Sequence, residues 1–321
     1  MPSLSYNNHF RFGYNGNAFN FRISPDDKWC VTYGPCERAP LPFREECMET
    51  ARVIAREARG PIWVLFSGGA DSEVTLQSFV LAKVPVQAAI VRFKNDLNIH
   101  DISYAVIACE KLNVPYRFFD LDILAFWEGK GLDYAARTKC ANPRLLSTMW
   151  CIDQVDGFPI IGGGECYFAK RVPDDYEPGV SPYPDTQWDL YEKEAIASWY
   201  RHLMLTGRDG SGGFFQYTPE LILSYLMDRD VINLVRNRNI GKLSTKTSKL
   251  PIYQKYFDLV TRPKFTGFEK IGEPDRAICK HLFKLYSEYC AIFKTPYDNL
   301  FEQLIPAARN KWENDVAQSI G

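Results

Sequence analysis

The residues best placed to do chemistry lie in one short string, Ser67-Gly68-Gly69-Ala70-Asp71-Ser72. Two hydroxyls, two adjacent glycines and one carboxylate at this spacing suit a phosphate site. Glycines let the backbone approach a ligand with no Cβ in the way, and the serines add donors. A carboxylate repels phosphate, so Asp71 makes sense there as a ligand for Mg²⁺, which bridges carboxylate and phosphate oxygens. A second glycine turn, Gly162-Gly163-Gly164, runs into Glu165. Glu165 has two readings: a second carboxylate and metal ligand at the same mouth, or a solvated turn residue.

The flanking residues say what must position this string. Ile62 to Phe66 is a short apolar run between Gly60-Pro61 and Gly68-Gly69, the pattern of a fully buried parallel strand. Val74, Leu76, Phe79, Val80 and Leu81 follow as an apolar helix face. The string therefore sits where a strand hands over to a helix N-terminus. The first N–H groups of a helix lack intrahelical partners, and the helix dipole adds partial positive charge. Together they make an anion cradle. It is not the Walker loop, because no lysine follows the glycines. The plain alternative is a Gly-Gly turn with an N-capping Asp or Ser.

Strands and helices alternate beyond it. Phe43 to Arg59 is an amphipathic helix, Val86 to Phe93 a strand, Ile102 to Leu112 a helix and Val114 to Leu121 a strand. Tyr134 to Val155 is helical with a break near Pro143, and Phe158 to Ile161 is a further strand. This alternation predicts an α/β fold with a doubly wound parallel sheet. Ligands of such sheets bind beyond the carboxyl ends of the strands. Phe66 then abuts the phosphate site, and backbone groups at Val91 and Arg92 lie at the same mouth.

Three parts are expected: an N-terminal β-meander over 1–42, the α/β core with the phosphate loop over 43–172, and a mainly helical part over 173–321 that completes the site. The meander, with Phe10, Phe12, Phe19, Phe21, Trp29 and Val31, is a packing appendage, a lid or a dimer surface. The segment from Val172 to Trp188 is rich in proline and acid and reads as a surface loop. Trp188 to Leu205 reads as a helix, and Gly207 to Gly213 as a mobile connector. Between Arg229 and Lys270 ten basic residues face three acidic ones. Such a run meets phosphates or, more simply, water.

Composition narrows the class. The chain has 321 residues, 46% hydrophobic and 24% charged, with net charge −1, an ordinary globular balance with no global nucleic-acid signature. A nucleic-acid partner stays possible only through the local basic run; a small-molecule substrate is the simpler expectation. The nine cysteines are odd in number and none has C-x-x-C spacing, which argues against a disulfide framework and for a reducing cytoplasm. No run approaches a membrane span. Four scattered histidines give no metal site or Ser-His-Asp arrangement.

Ser67-Gly68-Gly69-Ala70-Asp71-Ser72 resembles the S-G-G-x-D-S signature of the PP-loop ATP pyrophosphatases, of the adenine nucleotide alpha hydrolase-like (HUP) fold. Members grip the pyrophosphate of ATP and release it while transferring AMP. The resemblance implies ATP and Mg²⁺ as cofactors, with Ser67 to Ser72 on the nucleotide, backbone groups at Val91 and Arg92 at its adenine, and Asp71 on the metal. Arg262-Pro263-Lys264 is similar to the R-x-K segment of asparagine-synthetase-like and β-lactam-synthetase-like enzymes, where the lysine reaches the α-phosphate and leaving pyrophosphate. The helix and strand leading to the loop, Asp101-Ile102-Ser103-Tyr104-Ala105 and Leu112-Asn113-Val114 are similar as well, so the likeness covers roughly 43 to 270. It implies catalytic roles for Lys264, Arg262 and Asp71. Gly163-Gly164-Glu165 matches the family's G-E-G-x-D-E turn only in part, since Cys166-Tyr167-Phe168 follows. Pro2 stands where glutamine-dependent relatives carry a nucleophilic cysteine, so a glutaminase domain is not expected; the nitrogen would come from ammonia, another subunit or an amine. Two other outcomes compete with this amide-forming ligase: a PP-loop enzyme acting on sulfur or a nucleic-acid base, and a non-catalytic nucleotide-binding protein. Any homo-oligomer would use the N-terminal meander.

Overall fold

The computed structural model describes residues 9–15, 17–18, 20–170, 188–236, 249–260 and 266–305. Strands β1 (Phe10–Tyr14), β2 (Asn17–Ala18) and β3 (Trp29–Tyr33) form an antiparallel sheet in the order β2-β1-β3. It is therefore not a sequential meander: β1 is central, with Phe12 opposite Val31 and Tyr14 opposite Trp29. Its apolar side packs on Ala197, Tyr200 and Tyr289 of the same chain, which is the packing-appendage alternative.

Helix α1 (Phe43–Glu57) leads into β4 (Ile62–Leu65), followed by α2 (Ala70–Leu81), β5 (Gln87–Phe93), α3 (Ile99–Leu112) and β6 (Tyr116–Leu121). Helices α4 (Ile123–Glu128), α5 (Lys130–Thr138) and α6 (Leu146–Gln154) precede β7 (Phe158–Ile161). All four core strands are parallel, in the order β6-β5-β4-β7. The residues of β4 show why an unbroken apolar run was needed. Ile62 and Val64 enter one core with Ala51 and Ile54 of α1, Val74 and Phe79 of α2 and Ala105 of α3. Trp63 and Leu65 enter another with Cys151 and Ile152 of α6. Helices thus cover both faces of β4, whose four residues are all buried. The result is a Rossmann-like α/β sheet. Its winding runs outward from β4 through β5 to β6, then returns to the other side of β4 at β7. The reversal opens a crevice at the carboxyl ends of β4 and β7, where both glycine turns emerge.

The described residues beyond 188 are mainly helical, but the expected helix from Trp188 to Leu205 does not start at Trp188. Trp188–Lys193 is strand β9, which pairs with β8 (Tyr167–Lys170) and later with β10 (Ile292–Pro296) in a second antiparallel sheet. Pairing of Lys193 with Ile292 and of Leu190 with Thr295 supplies backbone partners from a distant segment, and this overrides local helix preference. Helix α7 (Glu194–Thr206) begins only after it. The expected connector at 207–213 is an ordered edge: Ser211 donates its N–H to the Pro159 carbonyl at 2.8 Å and accepts from Ile161 N–H at 3.0 Å, extending the parallel sheet beside β7. Helices α8 (Pro219–Leu226), α9 (Arg229–Arg236), α10 (Leu250–Tyr256), α11 (Glu273–Tyr286) and α12 (Tyr297–Leu304) follow. Leu221, Leu223, Ile252, Tyr253 and Phe257 share the core that contains Val64 and Ile54, so the C-terminal part packs into the α/β core. Among the described residues no helix is long and apolar enough to cross a membrane.

Candidate functional site

Phe66 continues β4, its N–H donating to the Ala89 carbonyl at 2.8 Å, and Ser67 to Gly69 then turn into α2 with Gly69 at the N-cap. The Gly69 N–H donates to Ser67 Oγ at 3.2 Å, and the Ser72 hydroxyl donates to the Gly69 carbonyl at 2.9 Å. These bonds fix a tight loop at the helix start, whose first-turn N–H groups face outward. Gly68 has φ +69°, and a Cβ there would lie 2.8 Å from the Asp101 carbonyl oxygen. Only glycine lets the loop seat this closely on α3 in that conformation. The turn after β7 closes on the same loop: a Cβ at Gly162 would stand 2.6 Å from Ser72 Cα.

This contact brings the two carboxylates together. Lys249, at the start of α10, places Nζ 2.7 Å from Asp71 Oδ2 and 2.6 Å from Glu165 Oε1. Glu165 and Lys249 are buried. Burial and the charge of Glu165 raise the pKa of Asp71, against hydrogen bonds from Lys249 and Tyr253. Burial opposes the charge on Lys249, but Asp71 and Glu165 outweigh it and raise its pKa. Tyr253 is held well above the usual phenol range by burial and the two carboxylates, so it is a donor here.

A cavity of about 590 Å³ opens on this cluster. Phe66, Ser67, Gly69, Ala70, Asp71, Ser72, Val91 and Glu165 all line it. Gly68 faces α3 instead. Arg92 is outside: its exposed side chain donates to Asp120 at 2.6 and 2.9 Å and covers the Phe118 ring. Alternation along β5 turns Val91 toward the cavity and the Arg92 side chain away. Arg262 and Lys264 lie outside the described residues. Their described neighbours on both sides, Val260 and Thr266, line the cavity.

Several wall residues carried no sequence signal. Asn98 accepts from the Phe93 N–H at 2.8 Å and donates to the Val91 carbonyl at 2.9 Å, fixing the turn after β5. Phe268 meets Phe93 at 5.4 Å between ring centroids and lies under the Arg144 guanidinium. Buried Glu73 accepts the Val260 N–H at 2.8 Å, which anchors the segment before Thr261 to α2. Lys249 was one base in a run of ten; what marks it is its distant acidic partners, which appear only in three dimensions. Cys151 also lines the cavity, and burial pushes its thiol up to about 12, the opposite of a reactive sulfur centre.

The donor set bears on a metal. Two carboxylates converge on one ammonium, which holds the place a cation would take. Hard oxygen donors suit Mg²⁺, which uses one or two carboxylates together with substrate phosphates. Among the described residues no group of three or more His, Cys, Asp or Glu could hold a metal alone. The residues therefore fit Mg²⁺ that shares its ligands with a phosphate. Neither models of known protein families nor curated proteins give a match to this chain.

Proposed function

We propose that this chain is an AMP-forming PP-loop ATP pyrophosphatase of the HUP kind, which adenylates a substrate carboxyl or amide group for attack by an amine or ammonia. One observation carries the reading: the Ser67-to-Ser72 loop, at the winding reversal of a parallel sheet, opens into a cavity where Asp71 and Glu165 converge. In this reading the loop N–H groups and serine hydroxyls hold the leaving pyrophosphate. Asp71 and Glu165 hold Mg²⁺, whose chemistry is to neutralise charge on the phosphates. Val91, Phe93 and Phe268 offer apolar walls to the adenine, and Lys249 and the Arg262-to-Lys264 segment supply cations. A substrate carboxylate oxygen attacks the α-phosphorus as the bond to pyrophosphate breaks. The amine nitrogen then attacks the acyl carbon, losing a proton as AMP leaves.

The test is product identity. The protein is incubated with Mg²⁺, α-labelled ATP and a metabolite extract, beside Asp71→Asn and Lys264→Ala. Labelled AMP or an adenylated adduct is expected, reduced about 10²-fold or more in each variant. ADP alone, or tight ATP binding without turnover, would refute adenylation and favour a nucleotide-binding protein.

A further inference from the structure

Lys249 is 178 residues from Asp71 in the chain, yet its ammonium touches both carboxylates of the site. Its side chain is only 7% exposed, and that of Glu165 only 8%. Burying an ammonium this deeply is costly unless it is paired, and here it is paired twice. Among the described residues nothing else of opposite charge is bonded to either carboxylate. The ammonium already offsets part of the carboxylates' charge without a metal. A free Mg²⁺ ion would have to shed part of a tightly held water shell and displace an ammonium already in contact. It would gain only two protein carboxylates, and among the described residues no third acidic, histidine or cysteine ligand forms a cluster with them.

Nucleotide changes that balance. Phosphates held at the start of α2 bring more negative charge, and more oxygen ligands, to the same mouth. A lysine is a point charge on a flexible four-carbon stem, so its Nζ can turn from the carboxylates to a phosphate without backbone movement. We infer that Lys249 is a built-in counter-ion that keeps divalent metal off the Asp71–Glu165 pair until nucleotide phosphates draw its ammonium away. Metal then enters only together with nucleotide, and Lys249 ends beside the phosphates. The inference rests on the phosphate-site reading of the loop, but not on the fate of the phosphates.

The experiment measures Mn²⁺ binding by electron paramagnetic resonance at pH 8. Wild-type protein alone is expected to bind Mn²⁺ weakly, and stoichiometrically once a non-hydrolysable ATP analogue is present. Lys249→Met is expected to bind Mn²⁺ about tenfold tighter, or more, without nucleotide. Lys249→Arg keeps the charge and stays weak, and adding Glu165→Gln to Lys249→Met removes the gain. Folding of each variant is checked by near-ultraviolet circular dichroism. If Lys249→Met does not fold, Lys249→Gln, which also removes the charge, takes its place in the same comparison. Tight Mn²⁺ binding by wild type without nucleotide, or no gain in a folded Lys249→Met, overturns the counter-ion. Wild type that excludes Mn²⁺ until the analogue arrives but forms no AMP keeps the counter-ion and removes the adenylation chemistry.

Discussion

Gly68 and Gly69 are adjacent, yet the structure gives them different work, and alanine at each separates the two. At Gly68, φ is +69°, where an L-residue costs about 1–2 kcal/mol. The new methyl would also meet the Asp101 carbonyl oxygen at 2.8 Å and the Ala105 Cβ at 3.2 Å. Both belong to α3, and helix backbone cannot turn aside like a flexible side chain. Overpacking of this kind adds about 1–3 kcal/mol, so Gly68→Ala should destabilise the fold by about 2–5 kcal/mol. At Gly69, φ is −77°, and the nearest atom to a Cβ is Ser67 Oγ at 3.2 Å. A serine hydroxyl can rotate, so Gly69→Ala should cost under about 1 kcal/mol. Its methyl instead faces the cavity mouth and should weaken ATP binding by about tenfold or more, a loss of about 1.4 kcal/mol. Urea unfolding at constant pH measures the first effect and isothermal titration with ATP the second. Equal stability losses in the two variants would refute the assignment of Gly68 to packing. Undiminished ATP affinity in Gly69→Ala would refute the phosphate cradle.

Two further predictions concern other groups. Glu192 on β9 accepts hydrogen bonds from the Tyr33 hydroxyl at 2.7 Å and from Gln216 at 2.8 Å, and burial lifts its pKa from 4.5 to about 8. The native state then holds a proton that the unfolded state releases, so stability is full below pH 4.5 and falls by about 1.4 kcal/mol per pH unit until about pH 8. Urea midpoints from pH 5 to 9 should show this slope in wild type and lose it in Glu192→Gln; an identical slope in both would exclude Glu192 as its source. Arg92→Ala removes an exposed ion pair with Asp120, so it should change stability by under about 1 kcal/mol and leave ATP affinity unaltered. A tenfold loss of affinity would put the Arg92 side chain in the cavity after all.

What the sequence determined by itself is what neighbouring residues decide. The apolar run Ile62 to Phe66, the two glycines and the apolar spacing after Asp71 specify a buried strand, a turn and a helix start, because each depends on sterics and periodicity within a few positions. The parallel sheet was legible through the alternation of strand and helix patterns along the chain. Tertiary structure decided which distant groups meet. Glu165 had two readings until Gly162 packed against Ser72 and carried it to Asp71. Lys249 could not be told from its basic neighbours, since a charge run has no period that singles out one member. Trp188–Lys193 is a strand only because β8 and β10 offer it backbone partners from far along the chain. Val91 and Arg92 are adjacent in sequence, and only strand register assigned one side chain to the cavity and the other to solvent. The loop is encoded by contacts a few residues apart, while the charge balance around it depends on long-range packing that no local pattern records.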